Sequence, residues 1–151
     1  LLELYDPKDE AAWLASFRFS VELRPRYCEC DGLSHVSNTV YPEYLEFGRL
    51  QYFVAAGDPE PGPFAYAHVT AELQLRYTAA CYYDEPLFIR SKLAQLGRAS
   101  ATMEQAMTGA DGSLRALARV VVVRAIDGAT VTWTDAQRAA LERFEGGPLG
   151  G

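Results

Sequence analysis

The sequence predicts an α+β domain in which an antiparallel sheet of about five strands wraps around one long central helix. Three observations lead there. Residues 17–27, 67–77, 86–96, 98–108 and 114–126 carry the alternating or continuous apolar patterns of strands. One broad apolar arc at helical spacing occupies residues 39–56. Short turn signals join the later strands, which favours antiparallel neighbours over long crossover connections.

Each element has a local reason. At the start, Asp6 reads as an N-cap, Pro7 as the first helical residue, and Asp9 and Glu10 as first-turn acids ahead of AAWLAS. Residues 1–16 are therefore a helical extension that packs Trp13 and Leu14 onto the domain. In the first strand Phe19, Val21 and Leu23 share one face, while Ser20, Glu22 and Arg24 share the other. The long helix puts Val40, Tyr41, Tyr44, Leu45, Phe47, Gly48, Tyr52 and Val54 on its apolar arc and leaves Glu43, Glu46 and Arg49 outside it. Pro42 must lie within its first turn, because a deeper proline costs roughly 3 kcal/mol. Gly57 ends the helix and opens the irregular loop GDPEPGPF.

In the second strand Ala67, Val69, Ala71, Leu73, Leu75 and Tyr77 alternate with His68, Thr70, Glu72, Gln74 and Arg76, a clean two-faced pattern. Leu96-Gly97-Arg98 makes a tight connection, and Asp111-Gly112 is a hairpin signal. Residues 120–123 are apolar on both faces, as expected of a sheet that covers a helix and also meets a neighbour. Residues 134–144 form a terminal helix, and 146–151 a flexible tail. No repeat interrupts residues 1–151, which form a single domain.

Composition bounds the function. The chain has 151 residues, 49% of them hydrophobic, enough for one domain with a core of its own. No apolar run approaches the ~20 residues of a membrane span. Charge appears too early in LLELYDPKDE for a secretory signal, and the missing initiator Met points to numbering that begins inside the natural chain. A net charge of −6 argues against nucleic acid as a partner, yet leaves room for a local Arg/Lys cluster that holds an anionic cofactor. Three cysteines, an odd and small number, suit a reducing, cytoplasmic setting. Cys28, Cys30 and His35 imitate a metal cluster, but no second pair stands at ligand spacing. Small buried thiols and no metal are expected.

The chemistry concentrates in residues 27–49, YCECDGLSHVSNTVYPEYLEFGR. Asp31, His35 and Asn38 occupy a short loop that runs straight into the long helix. A carboxylate beside a helix N-terminus joins a base or nucleophile to backbone N–H donors able to hold an oxyanion, a combination suited to acyl transfer.

Tyr27, Asp31, His35, Val36, Asn38, Tyr41, Tyr44, Glu46 and Arg49 fall at the offsets of Tyr/Phe-x-x-x-Asp-x-x-Gly-His-Val-x-Asn-x-x-Tyr-x-x-Tyr-x-Glu-x-x-Arg. In this the chain resembles the 4-hydroxybenzoyl-CoA thioesterase-like branch of the hotdog-fold family, and the element order is similar over roughly residues 17–130. One position departs: the family glycine is Ser34, while Gly32 follows Asp31 directly. Either the loop places its flexible residue earlier, or the approach of the thioester to the backbone is altered.

The resemblance implies a hotdog fold, an acyl-CoA thioesterase, and a site at the interface of a homodimer or homotetramer. It implies Asp31 as general base or nucleophile, and backbone N–H groups at the helix start, around Asn38, as oxyanion donors. The Asn38 side chain is open to a second role as N-cap. His35 either orients Asp31 or a water, or serves the loop's own hydrogen bonds. Glu46 offers a second carboxylate, but Arg49 at i+3 favours a structural ion pair. Tyr41 and Tyr44 suit the core better than the substrate. Coenzyme A enters as part of the substrate rather than as a cofactor, with Arg76, Arg90, Lys92 and Arg98 as candidate phosphate partners. The loop 57–64, Tyr82 and Tyr83 are candidates for the border of the acyl pocket.

Two other functions remain open. A non-catalytic acyl-CoA-binding module keeps the pocket but has no need of Asp31. An enoyl-CoA hydratase or dehydratase of similar fold carries Asp and His in another spacing, typically with Asn-Pro between them, which residues 31–35 lack. The thioester carrier is either coenzyme A or acyl carrier protein.

Overall fold

The structure, a computed structural model, describes residues 6–57 and 67–150. In chain order these form α1 (Glu10–Ala15), β1 (Phe19–Leu23), a 3-10 turn (Tyr27–Glu29), α2 (Tyr41–Ala55), β2 (His68–Tyr77), β3 (Leu87–Leu96), β4 (Ser100–Gly109), β5 (Leu114–Ile126), β6 (Ala129–Thr130) and α3 (Asp135–Glu145). The five main strands pair antiparallel in the order β1-β3-β4-β5-β2, with β6 a short addition to β5. The sheet curls around α2, as the sequence pattern predicts. The predicted loop at 57–64 falls outside the described residues except for Gly57.

The core lies between α2 and one face of the sheet. Tyr44, Leu45, Tyr52 and Phe53 from α2 meet Leu87, Ile89, Met103, Met107, Val120 and Val122 from the strands. Close approach is possible because Gly48 faces Ile89, where a Cβ would overlap the Ile89 side chain. The apolar arc needs correcting at its edges: Phe47 and Val54 are exposed, whereas Phe53 and Arg49 are buried. The expected Glu46–Arg49 ion pair does not form. Arg49 turns inward, donating to Gln105 Oε1 at 3.0 Å and Thr70 Oγ1 at 3.3 Å. Gln105 in turn donates to the Leu45 carbonyl and to Ser91 Oγ, both at 2.9 Å. Two of the guanidinium nitrogens are thereby met, which offsets part of the cost of burying the cation, while Nε has no partner among the described residues.

The clean alternation of β2 is broken by a bulge at Ala71, where the register to β5 shifts between Thr70 and Glu72. Before the bulge His68 stacks on Phe53 and Thr70 accepts from Arg49, both of α2, while Val69 is exposed; after it Leu75 packs on the core and Tyr77 meets Tyr41. Periodicity alone assigns Val69 to the wrong face, because the extra residue appears only when β2 is laid against β5.

At the N-terminus the helix begins later than predicted. Asp9, not Asp6, is the N-cap and accepts from Ala12 N at 3.0 Å; Asp6 instead pairs with Arg76 at 2.8 Å. The helix sits on the outer face of the sheet, where Trp13 and Phe17 cover Ala106 and Leu117. The first strand stops at Leu23, short of the predicted Tyr27, as Pro25 and the 3-10 turn follow. At the far end Thr134 caps α3 reciprocally with Gln137, and Gly146, at φ 84°, closes it. Residues beyond Gly146, expected as a flexible tail, return to the sheet: Leu149 packs on the core and the Gly150 carbonyl accepts from Leu96 N at 3.0 Å. Of the three free cysteines only Cys81 is buried; Cys28 is exposed and Cys30 half-buried, contrary to the expectation of buried thiols. Among the described residues no helix is long and apolar enough to cross a membrane.

Candidate active site

Residues 29–37 fold back on themselves as a small hairpin. Ser37 N donates to the Glu29 carbonyl at 2.8 Å, Cys30 bridges to Val36, and Asp31 N donates to the His35 carbonyl at 2.7 Å. Asp31 then closes the tip with its side chain: Oδ1 accepts from Leu33 N at 2.8 Å and from His35 N at 3.3 Å. Two donors on one oxygen fix the carboxylate's direction and leave Oδ2 without a partner among the described residues. The loop-bridging role common for aspartate thus coexists with an open reactive atom.

The hairpin is clamped on two sides. Val36 N donates to the Cys81 carbonyl at 2.8 Å, and His35 bridges to Tyr82. On the other side Tyr44 of α2 donates its hydroxyl to Glu29 Oε2 at 2.5 Å, and Arg26 adds its backbone N–H and guanidinium. Desolvation pushes the Glu29 carboxyl upward, but the hydrogen bonds from Tyr44 and Arg26 outweigh it and hold the group below the usual carboxylate range. The Tyr44 hydroxyl moves the other way, raised by burial and then by the adjacent Glu29.

A cavity of about 390 Å³ opens between this hairpin, the first turn of α2 and the segment 78–80, with Asp31, His35, Asn38, Tyr41 and Tyr77 on its walls. Asp31 also borders a second cleft, of about 340 Å³, shared with Tyr27, Cys30, Ser34 and Tyr83. Asp31 is thus common to the lining of both cavities.

The structure brings Asp31, His35 and Asn38 to one cavity. Asn38 does not cap α2; the cap residue is Val40, without a side-chain hydrogen bond, and Pro42 lies in the first turn as predicted. The N–H groups of Asn38 and Thr39 make no hydrogen bond to the described residues. The Asn38 carbonyl accepts from the Tyr77 hydroxyl at 2.8 Å. His35 meets Asp31 through its backbone, while its ring packs edge-on against Tyr82 at 5.4 Å between centroids. Tyr41 is buried, accepting from Cys81 N at 3.2 Å.

The four cations proposed for phosphate do not gather. Lys92 pairs with Glu104 at 3.0 Å and lies 5.0 Å from the Phe17 ring centre, on the outer face under α1. Arg90 donates to Thr108 Oγ1 at 3.3 Å, and Arg76 is paired with Asp6. Arg98 sits in the β3–β4 turn, at the end of β3 remote from the Asp31 hairpin. Cys28, Cys30 and His35 do not converge as metal ligands; no such cluster occurs among the described residues.

Two participants escaped sequence reading. In sequence Tyr77 is one more apolar strand residue and Glu29 an unspecified position of the motif; only the folded chain sets them against Asn38 and Tyr44. Ser34 did carry a signal, since it replaces the glycine of the resembled pattern. Its φ of 64° shows that the left-handed turn stays at this position, whereas Gly32 does not adopt it. The reading in which the flexible residue moves earlier is thereby overturned. A non-glycine residue here costs about 1 kcal/mol.

A sequence profile of the Thioesterase-like superfamily matches residues 25–141. Among solved structures, a thioesterase from Thermus thermophilus, complexed with coenzyme A and zinc, is 27% identical, with a TM-score of 0.78 over 89% of this chain and 98% of its own. A thioesterase superfamily protein from Jannaschia sp. CCS1 is 25% identical, with a TM-score of 0.77 over 90% of each chain. A mutant 4-hydroxybenzoyl-CoA thioesterase complexed with 4-hydroxybenzoyl-CoA shares the fold at 15% identity, with a TM-score of 0.73 over 82% of this chain and 97% of its own. No curated protein sequence matches the chain. These likenesses point to a thioesterase-type activity. With its curled sheet around α2 and a profile match that runs from the Asp31 hairpin into α3, the chain belongs to the Thioesterase-like superfamily of hotdog-fold proteins.

Proposed function

We propose that the protein is an acyl-CoA thioesterase acting through Asp31. One observation carries the reading: Asp31 and Asn38 border the same cavity at the first turn of α2, one offering an open carboxylate oxygen and the other an unused N–H. The thioester carbonyl lies between them. As general base, Oδ2 takes a proton from water while the water oxygen bonds to the carbonyl carbon. As nucleophile, Oδ2 makes that bond itself, and water later cleaves the mixed anhydride. In both, the developing oxyanion is met by N–H groups at the positive end of α2, the C–S bond breaks, and the thiolate leaves and gains a proton. His35 holds the carboxylate through its backbone N–H.

The carrier is coenzyme A or acyl carrier protein. Of Arg76, Arg90, Lys92 and Arg98, only Arg98 has no ion pair or side-chain hydrogen bond among the described residues, so it is the cation of the four that a phosphate meets without displacing a partner. The remoteness of Arg98 from Asp31 within one chain suits a substrate bound across two subunits of a homodimer or homotetramer. A cytoplasmic setting fits three free cysteines.

Thiol release over a panel of acyl-CoA esters tests the reading, with Asp31→Asn alongside. Hydrolysis that falls about 10²–10⁴-fold in the variant is expected of a positioned base. An unaffected variant removes Asp31 from the mechanism. Hydration of enoyl-CoA, or binding without turnover, assigns the chain to one of the two other functions.

A further inference from the structure

We propose that the cleft bordered by Tyr27, Ser34 and Tyr83 is the acyl-group subsite, and that Ser34 selects there for acyl groups bearing a hydroxyl close to the carbonyl. The proposal rests on the thioesterase reading and adds to it the class of acyl group.

Asp31 borders two cavities, so a thioester carbonyl placed at its carboxylate has one arm in each. The larger cavity has segment 78–80 along one wall and leads past Asn38 and Tyr77, a run of peptide groups suited to the amide-rich arm of the carrier. The second cleft differs in character. Tyr27 and Tyr83 stand edge to face, their rings at 87° with centroids 6.0 Å apart, and together make one exposed aromatic wall of it. An exposed aromatic wall suits a short, mainly apolar acyl chain. Its volume of about 340 Å³ leaves space for one.

Ser34 adds a polar requirement. Its hydroxyl makes no hydrogen bond to any described residue, while its backbone N–H is held by the Asp31 carbonyl at 3.1 Å. The residue thus stands one tight turn from the carboxylate, on the cleft side, with a free donor and acceptor. Its backbone occupies the left-handed region that glycine fills at lower cost. A serine kept there at the expense of strain is explained by what its hydroxyl touches. Because Ser34 and Asp31 share one turn, the group it reaches is near the reacting carbonyl, at the second or third carbon of the acyl chain.

The test compares 3-hydroxybutanoyl-CoA with butanoyl-CoA, which differ by one hydroxyl. The wild-type protein is expected to favour the hydroxyacyl ester by about 3–10-fold in kcat/KM, the size of one solvent-accessible neutral hydrogen bond. Ser34→Ala keeps the strained backbone and removes the hydroxyl; Ser34→Gly removes both. Each variant brings the ratio to about one, and Ser34→Gly also raises the denaturation midpoint. A wild-type ratio in both variants, or no preference in the wild type, overturns the proposal. Calorimetric binding of the two esters to Asp31→Asn protein separates the two levels of inference. Preferential binding without wild-type hydrolysis ends the thioesterase reading alone, hydrolysis without preference ends the Ser34 assignment alone, and binding of neither ester ends both.

Discussion

The hydroxyl of Tyr77 donates to the carbonyl oxygen of Asn38 at 2.8 Å, across the cavity that holds Asp31. In a trans peptide the carbonyl and the following N–H point in opposite directions. Anchoring that oxygen therefore fixes the direction of Thr39 N–H, at the positive end of α2. Tyr77→Phe keeps the ring and its edge-on contact with Tyr41, whose centroid is 4.9 Å away, but frees the peptide to rotate. The expected result is a fall in kcat of about tenfold with little change in KM. This is smaller than the ~10²–10³ cost of losing an oxyanion donor, because the donor remains and only its orientation is relaxed. Steady-state hydrolysis of one acyl-CoA ester checks it; an unchanged kcat means the peptide is held by other contacts.

What could be read beforehand divides along a physical line. Strand patterns repeat every two residues whatever their partners, so the sheet and α2 were legible. The bulge at Ala71 was not, since it exists only as a mismatch between β2 and β5. Asp31, His35 and Asn38 lie within one short segment, and proximity in sequence put them in one cavity. Tyr77 reaches Asn38 from another strand, and Glu29 reaches Tyr44 from another element; pairs of that kind have no spacing to recognise. Arg49 departs from its pattern because a charged residue off the apolar arc normally faces water, whereas its acceptor Gln105 comes from β4.

Acid should loosen the site through Glu29. Its carboxyl lies below the ordinary value in the folded protein because Tyr44 and Arg26 bond its ionised form, despite the opposing effect of burial. The unfolded chain therefore takes up the proton first as pH falls. The contribution of Glu29 to stability is complete above the ordinary carboxylate pKa of about 4.3, and is lost as pH drops through the lower folded value. Glu29→Gln cannot titrate. Denaturant midpoints measured from pH 6 to pH 3 should fall less steeply for this variant than for the wild type. Parallel curves would mean that other carboxylates govern acid unfolding.

Gly48 sets the distance between α2 and the sheet. A methyl group there overlaps the Ile89 side chain and comes close to Gln105, the acceptor of Arg49. In an exposed helix Gly→Ala gains up to ~1 kcal/mol from propensity, but overpacking a core costs about 1–3 kcal/mol. The collision is with a β-branched side chain that has few rotamers to escape into, so the loss should prevail. Gly48→Ala is expected to lower the unfolding free energy by about 1–2 kcal/mol, read from urea denaturation; a gain in stability would show that Ile89 moves aside freely.

The edges of the sheet bear on quaternary structure. Among the described residues β1 and β2 each pair on one side only, and β2 is the longer, ten residues against five. It exposes Val69, Leu73 and Tyr77, so the longer edge carries both unpaired backbone groups and apolar side chains. A long apolar edge left open invites pairing with another strand, and a second copy of β2 is the occupant that the proposed homodimer or homotetramer supplies. Tyr77 and Asn38 stand at one end of that edge, so pairing there closes the cavity beside Asp31. Sedimentation should give at least twice the chain mass. Leu73→Arg, which adds charge to the centre of the edge, should shift the population toward monomer and lower hydrolysis in proportion to the dimer lost. Full activity in a demonstrably monomeric variant would show that the site is complete within one chain.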